Sequence, residues 1–276
     1  MSNFIGCESG YDHARAVVFG APFDSTASYR PGSRFAPAAM RNESYAIETY
    51  SPMLDRDLGE LLVHDMGDLE FPLGAPEAML KAVEERTARI LKDFKIPVML
   101  GGEHLVTLGA VNAAHKAYPE LRVVQFDAHA DLRDEYLGAK LSHATVMRRC
   151  ADTLGGGSIY QFGIRSGTHE EFSWAKNHSQ LYKFGVSDVS VLDGVGGAPL
   201  YVTIDLDVLD PGALPGTGTP EAGGVSYTEL LAALRIVARR NVVGVDIVEL
   251  SPPQDPNGGS TLTACTLLRE LLLMLA

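Results

Sequence analysis

The sequence predicts an α/β fold: a parallel sheet of about eight strands with helices on both faces. Three observations carry this. Strand-type and helix-type segments alternate along all 276 residues. The strand segments are nearly continuous apolar runs, as expected of strands buried on both faces. No composition shift, linker, internal repeat or low-complexity stretch divides the chain, so a single domain over residues 1–276 is expected.

Taken in order, Ala14 to Phe19 gives the first strand. A polar, turn-rich loop, Asp24 to Arg34, follows it and could help line a site. A helix is expected from about Pro37 to Tyr50, then a second strand from Leu61 to Asp65. Pro76 to Lys95 carries Met79, Leu80, Val83, Ala88, Ile90 and Leu91 at helical spacing. The third strand, Ile96 to Leu100, breaks at Gly101-Gly102, where two glycines allow a sharp turn before a helix reaching about Tyr118. The fourth strand is Val123 to Phe126, followed by a helix from about Ser142 to Ala151. Ser158 to Gly163, Gln180 to Phe184 and Leu200 to Ile204 are strands five to seven, with a helix near His169 to His178. Ser226 to Arg240 reads as a helix with Ser226 as N-cap and Glu229 at the capping-box position. Val242 to Glu249 is the eighth strand, and a helix from about Ser260 to Ala276 closes the chain.

Composition sets outer bounds. Hydrophobic residues are 46% and charged residues 21% of the chain, values typical of globular proteins. A net charge of −12 argues against non-specific binding to nucleic acid or to anionic membranes, and it suits a small cationic substrate. Cys7, Cys150 and Cys265 are far apart and form no CxxC pair, so reduced thiols are expected, and with them a cytoplasmic location. The start, Met1-Ser2-Asn3-Phe4, has no basic segment followed by an apolar core, and no apolar run approaches the length of a membrane span. Gly155-Gly156-Gly157 precedes a strand instead of following one, so it fails as a dinucleotide fingerprint, and no phosphate loop of the Walker type is present.

The chemistry gathers at three strand ends. Asp127, His129 and Asp131 end the fourth strand at spacing i, i+2, i+4, which extended backbone would send to one face. His104 follows the third strand, and Asp205 and Asp207 end the seventh, again two apart. Such sheet edges are where α/β folds keep their sites. Four carboxylates and two imidazoles are too few for two independent four-coordinate sites unless carboxylates bridge, which is the habit of a two-metal centre. Oxygen and nitrogen donors without thiolate suit Mn²⁺, with Fe²⁺, Co²⁺ or Zn²⁺ as alternatives. Four carboxylates balance two divalent ions, and a hydroxide between the ions adds one negative charge that attracts a cationic substrate.

Six motifs carry a family resemblance: GGEH (101–104), DAHAD (127–131), SHAT (142–145), TIDLDVLDP (203–211), PGTGTPEAGG (215–224) and DIVELSP (246–252). Together they resemble the ureohydrolase (arginase/agmatinase) superfamily from about residue 15 to the end, and PGTGTPE with RPGSRFAP (30–37) is most similar to the agmatinase branch. The resemblance implies a three-layer α/β/α sandwich with a parallel, doubly wound, eight-stranded sheet. It implies two manganese ions per subunit, one held by His104, Asp127, Asp131 and Asp205, the other by Asp127, His129, Asp205 and Asp207. It also implies attack of a bridging hydroxide on the guanidinium carbon of a small guanidino substrate, releasing urea and an amine. Asp131 would pass the hydroxide proton to the leaving amine, His143 would shuttle protons, and Glu249 would bind the guanidinium in bidentate fashion. Thr219 would line the same pocket. Glu103 stands where Asp is commoner in the family, and Ala144 where Gly is commoner; neither replaces a ligand.

Agmatine, cleaved to putrescine and urea, is the expected substrate, and Asp134-Glu135 could help meet its far cation. Arginase, guanidinobutyrase, aminopropylagmatine ureohydrolase and formiminoglutamase activities remain open, because Arg133 or Arg165 could receive a substrate carboxylate. A non-catalytic metal-binding relative is the reading from another class. The resemblance further implies a homo-oligomer, trimer or hexamer.

Overall fold

The structure, a computed structural model, describes residues 3–276; Met1 and Ser2, part of the start read above, lie outside the described residues. Its centre is one eight-stranded sheet. The strands are β1 (Ala16–Ala21), β2 (Val63–Asp68), β3 (Ile96–Gly101), β4 (Arg122–Phe126), β5 (Ile159–Ile164), β6 (Gln180–Lys183), β7 (Leu200–Asp205) and β8 (Val242–Val248). All pair in parallel, in the order 2-1-3-8-7-4-5-6.

Seven α-helices cover the sheet: α1 (Ala36–Glu43), α2 (Pro76–Lys92), α3 (Val106–Ala117), α4 (Val146–Leu154), α5 (His169–His178), α6 (Tyr227–Val237) and α7 (Gly259–Leu275). Alternate residues of each strand enter two separate cores. Val18, Leu100, Phe126 and Ile204 pack with Met40 of α1, Leu234 of α6 and Leu268 of α7. Val17, Phe19, Met99 and Tyr201 pack with Val83 of α2, Val111 of α3, Met147 of α4 and Ala175 of α5. This is the expected three-layer sandwich. At the predicted cap of α6, Ser226 Oγ accepts from Glu229 N at 3.3 Å and the Glu229 carboxylate accepts from Ser226 N at 2.8 Å.

Two expectations need correction. The helix expected to reach Tyr50 ends at Glu43, becomes a 3-10 turn (Ser44–Ala46), and gives way to a small antiparallel pair, Tyr50–Ser51 with Arg56–Asp57. Ser44 explains the stop: its hydroxyl donates to Arg41 O at 2.8 Å and accepts from Ile5 N at 3.0 Å, drawing the chain out of helical bonding. The next residues include Ile47, Thr49 and Tyr50, which favour extended backbone. The segment from Ser142 opens as a 3-10 turn (His143–Thr145) before α4, which then runs past Ala151 to Leu154. A nine-residue 3-10 stretch, Ser187–Val195, between β6 and β7 has no counterpart in the sequence reading.

Candidate metal centre and substrate pocket

Strands β3, β8, β7 and β4 are neighbours in the sheet, and their C-terminal ends carry His104, Glu249, the Asp205 pair and the Asp127 segment. The crevice at such strand ends is the usual ligand position in open α/β sheets. His104 reaches it through a turn that demands glycine: a Cβ on Gly102 would lie 1.9 Å from the carbonyl oxygen of Phe23.

The expected reason for convergence of the aspartates is not the one observed. The β4 ladder ends at Phe126, so strand alternation cannot align Asp127, His129 and Asp131. Instead Asp127 Oδ1 accepts the backbone N–H of His129 at 2.6 Å, and Asp131 takes a left-handed conformation with φ of 52°. Asp205 and Asp207 repeat the device. Asp205 is the last residue of β7, Asp207 sits in a 3-10 turn (Leu206–Val208), and Asp205 Oδ1 accepts from Asp207 N at 2.9 Å. A side chain that bonds two residues ahead bends the chain over its own carboxylate.

The six side chains form two overlapping groups. His104 Nδ1 lies 3.1 Å from Asp127 Oδ2, 3.1 Å from Asp131 Oδ2 and 3.5 Å from Asp205 Oδ2. His129 Nδ1 lies 2.9 Å from Asp207 Oδ2 and 3.6 Å from Asp127 Oδ1. Asp127 belongs to both, so His104–Asp127–Asp131 and Asp127–His129–Asp207 are each arranged as a cation would need.

The protonation pattern tests this fit. Tyr201 and Thr107 hydroxyls donate to Asp246 Oδ2 at 2.8 and 3.0 Å, and Thr203 Oγ1 donates to Asp246 Oδ1 at 2.6 Å. With its proton committed, Thr203 can only accept from His104 Nε2, 2.9 Å away. A neutral His104 therefore turns a bare Nδ1 lone pair toward three carboxylates, and Nδ1, like Asp207 Oδ2, is buried without a hydrogen-bond partner. Either a proton or a cation must occupy that space. Burial opposes a charged His104, yet Asp127, Asp131 and Asp205 push its proton affinity well above normal. Burial, then Asp127, raises Asp131 to about 7; burial, then Asp207 and Asp127, raises Asp205 well above the carboxylate range. Groups that retain protons under this crowding are groups from which a divalent cation would displace them.

His129, Asp131, Asp205, His143, Thr219 and Glu249 line one open pocket of about 240 Å³. Glu249, just past β8, has φ of 64°, and its carboxylate accepts the backbone N–H of His104 at 2.7 Å. Burial and then Glu103 raise its pKa to about 8. The His143 ring stands edge-on to Tyr136 at 5.6 Å, with Nε2 3.4 Å from Ser28 Oγ. Burial, then His129, pushes its pKa down to about 4. The loop Asp24 to Arg34 does line the site, through Ser28.

A family model described as the Arginase family matches residues 14–274. The chain belongs to the arginase family. It is similar to the agmatinase of Bacillus subtilis (strain 168), with 46% identity over 275 residues, covering 98% of this chain and 95% of that protein. It is 34% identical over 271 residues to the human mitochondrial guanidino acid hydrolase, covering 93% of this chain and 77% of that protein. The crystal structure of the agmatine ureohydrolase of Thermoplasma volcanium is similar with a TM-score of 0.92 and 35% identity, covering 100% of this chain and 94% of that one.

Within this arginase-family chain, the charged residues expected near the far end of a substrate fall in different places. Arg165 cannot receive a substrate carboxylate: its guanidinium donates to the backbone carbonyls of Gly163, Asp207, Val208, Leu209 and Glu221. Asp134 pairs with Arg149 at 2.5 Å, and it and Glu135 line a neighbouring hollow, not the pocket. Arg133 does line the pocket, over the Tyr136 ring and 3.4 Å from Glu171. Sequence reasoning missed the residues behind the ligands: Thr203, Asp246, and Gln125, whose amide donates to Asp127 Oδ2 at 2.6 Å. Their signal was present as single polar residues within apolar strands.

Proposed function

We propose that this arginase-family protein is an agmatinase that hydrolyses the guanidino C–N bond of agmatine, with water, to putrescine and urea. The observation that carries this reading is the Glu249 carboxylate set in one pocket with His143 and two ligand clusters that share Asp127. The agmatinase relatives at 46% identity over nearly the whole chain support it.

The assignment gives one manganese ion to His104, Asp127, Asp131 and Asp205, a set the contacts around His104 support. It gives a second to Asp127, His129 and Asp207, which lie together, with Asp205 added from the family resemblance. Paired divalent ions, when bound, make hydroxide available near neutral pH. Glu249 accepts from the guanidinium as a fork and fixes the carbon to be attacked. An arriving cation favours the ionised form of this buried carboxylate. His143, with its pKa lowered to about 4, is neutral near pH 7, so one ring nitrogen is free to accept a proton from the incoming water and hand it to the product amine. Asp131 would pass the nucleophile's proton to the departing amine through the carboxylate oxygen not turned toward His104. Thr219 closes the pocket wall. The same reading keeps the chain as a single domain in the cytoplasm, where its three free cysteines fit, and the family resemblance implies a trimer or hexamer.

One observation favours a second reading. Arg133 places a guanidinium on the pocket wall, where the tail of a carboxylate-bearing substrate would find it. Urea release from agmatine, arginine and 4-guanidinobutyrate, with added Mn²⁺, separates the two. Preference for agmatine is expected, and preference for a carboxylate substrate overturns it. Metal bound with no urea from any of the three would favour a non-catalytic metal-binding relative.

A further inference from the structure

We propose that Glu103 and Thr26 are positioning residues for His143, acting through a hydrogen-bonded chain from a buried carboxylate to the backbone that carries the imidazole. The proposal rests on the reading of His143 as the proton-transfer group. Glu103 is fully buried and lies one residue before a metal-ligand candidate, yet it belongs to neither ligand cluster. A buried carboxylate is costly unless its oxygens are used. Both bond Thr26: Oε2 accepts the backbone N–H of Thr26 at 2.9 Å, and Oε1 accepts the Thr26 hydroxyl at 2.5 Å, with the Ala27 backbone N–H as a further donor to the carboxylate.

That commitment leaves the Thr26 oxygen free to accept, and it accepts the backbone N–H of His143 at 3.2 Å. Two residues further, Ser28 Oγ stands 3.4 Å from His143 Nε2 and accepts the Tyr136 hydroxyl at 3.3 Å. The 24–28 loop therefore grips His143 at both backbone and ring, and Glu103 anchors the loop. The anchor requires a carboxylate of this length. The amide of Glu103→Gln would offer one acceptor oxygen where the carboxylate serves several donors, and Glu103→Asp would draw the oxygens back by one methylene. Thr26 is the cleaner point of test, because Glu103 variants sit beside His104.

The experiment compares Thr26→Val and Thr26→Ser with the unmodified, manganese-loaded protein, and adds hydrogen exchange on the metal-free forms. In Thr26→Val, kcat for agmatine falls about tenfold, the equivalent of one hydrogen bond, while KM and manganese content stay at the unmodified values. Thr26→Ser restores kcat. Exchange at residues 142–146 rises about tenfold in Thr26→Val and stays unchanged in Thr26→Ser. Unchanged exchange at His143, or kcat in Thr26→Val equal to the unmodified value, overturns the proposal. Damage in Thr26→Ser equal to that in Thr26→Val, or loss of rate in step with loss of metal, also overturns it. An unmodified protein that makes no urea counts against the proposed function instead, and the exchange measurement still decides this inference.

Discussion

The hydroxyl of Thr203 accepts the Nε2–H of His104 at 2.9 Å, and this bond decides which edge of the imidazole faces the carboxylates. Because Thr203 has already donated to Asp246, it cannot reverse the polarity. Metal-ligating histidines commonly depend on such a partner. Thr203→Val is expected to weaken manganese binding about tenfold to hundredfold, with Thr203→Ser close to the unmodified protein. Equilibrium dialysis against Mn²⁺ reads the effect, and equal affinity in Thr203→Val would contradict the role.

Asp127 touches both ligand clusters, so its charge serves two sites at once. Asp127→Asn is expected to lower metal content and urea production together. If either survives at the unmodified level, Asp127 does not bridge.

His143 contacts the pocket without joining either cluster. His143→Ala should keep its metal and lose kcat by roughly 10²–10⁴, the range for a lost general acid–base group. A pH effect follows as well. The folded pKa of about 4 lies below the usual 6.5, so the unfolded chain takes up the proton first as pH falls. The stability contributed by neutral His143 is thus full above about pH 6.5 and is lost toward pH 4. Between pH 7 and 5, the Tm of metal-free His143→Ala should fall less than that of the unmodified protein. Parallel melting curves would remove the burial argument.

Arg165 ties the carbonyls of the 207–209 and 221 backbone to the end of β5. Arg165→Lys cannot span these acceptors. Its Tm should drop by several degrees while the ratio of kcat/KM for agmatine over 4-guanidinobutyrate holds. A changed ratio would return Arg165 to the substrate.

The three cysteines are buried, and burial pushes the Cys150 and Cys265 thiols up to about 12 and Cys7 well above normal. The thiolate is the reactive form. A thiol reagent at pH 8 should therefore label none of them in the native protein and all of them in denaturant. Rapid native labelling would show that a core opens.

Much of the fold was legible because six apolar runs mark six of the strands with small shifts at their ends, and the more polar β2 and β6 were found from their place in the alternation. Strand β2 was read least well, expected at Leu61 to Asp65 but running Val63–Asp68. Their spatial order was not legible. Nothing local to residues 242–249 says that β8 lies between β3 and β7, yet that placement brings Glu249 to His104. The ligand types were read from their spacing, but the cause lay elsewhere: aspartates bonding two residues ahead and a left-handed Asp131, not strand pleat. The helix expected to reach Tyr50 failed because Ser44 offered its neighbours a competing hydrogen bond. Thr203 and Asp246 escaped notice because a lone polar residue in a strand shows its purpose only when its partners, here on other strands and on α3, are in place.

The most direct measurement is the metal content of active, chelator-free protein by elemental analysis, taken alongside its urea production from agmatine. The account predicts two divalent ions per chain, with activity rising as the second is filled. Full activity with one ion or none per chain would contradict it.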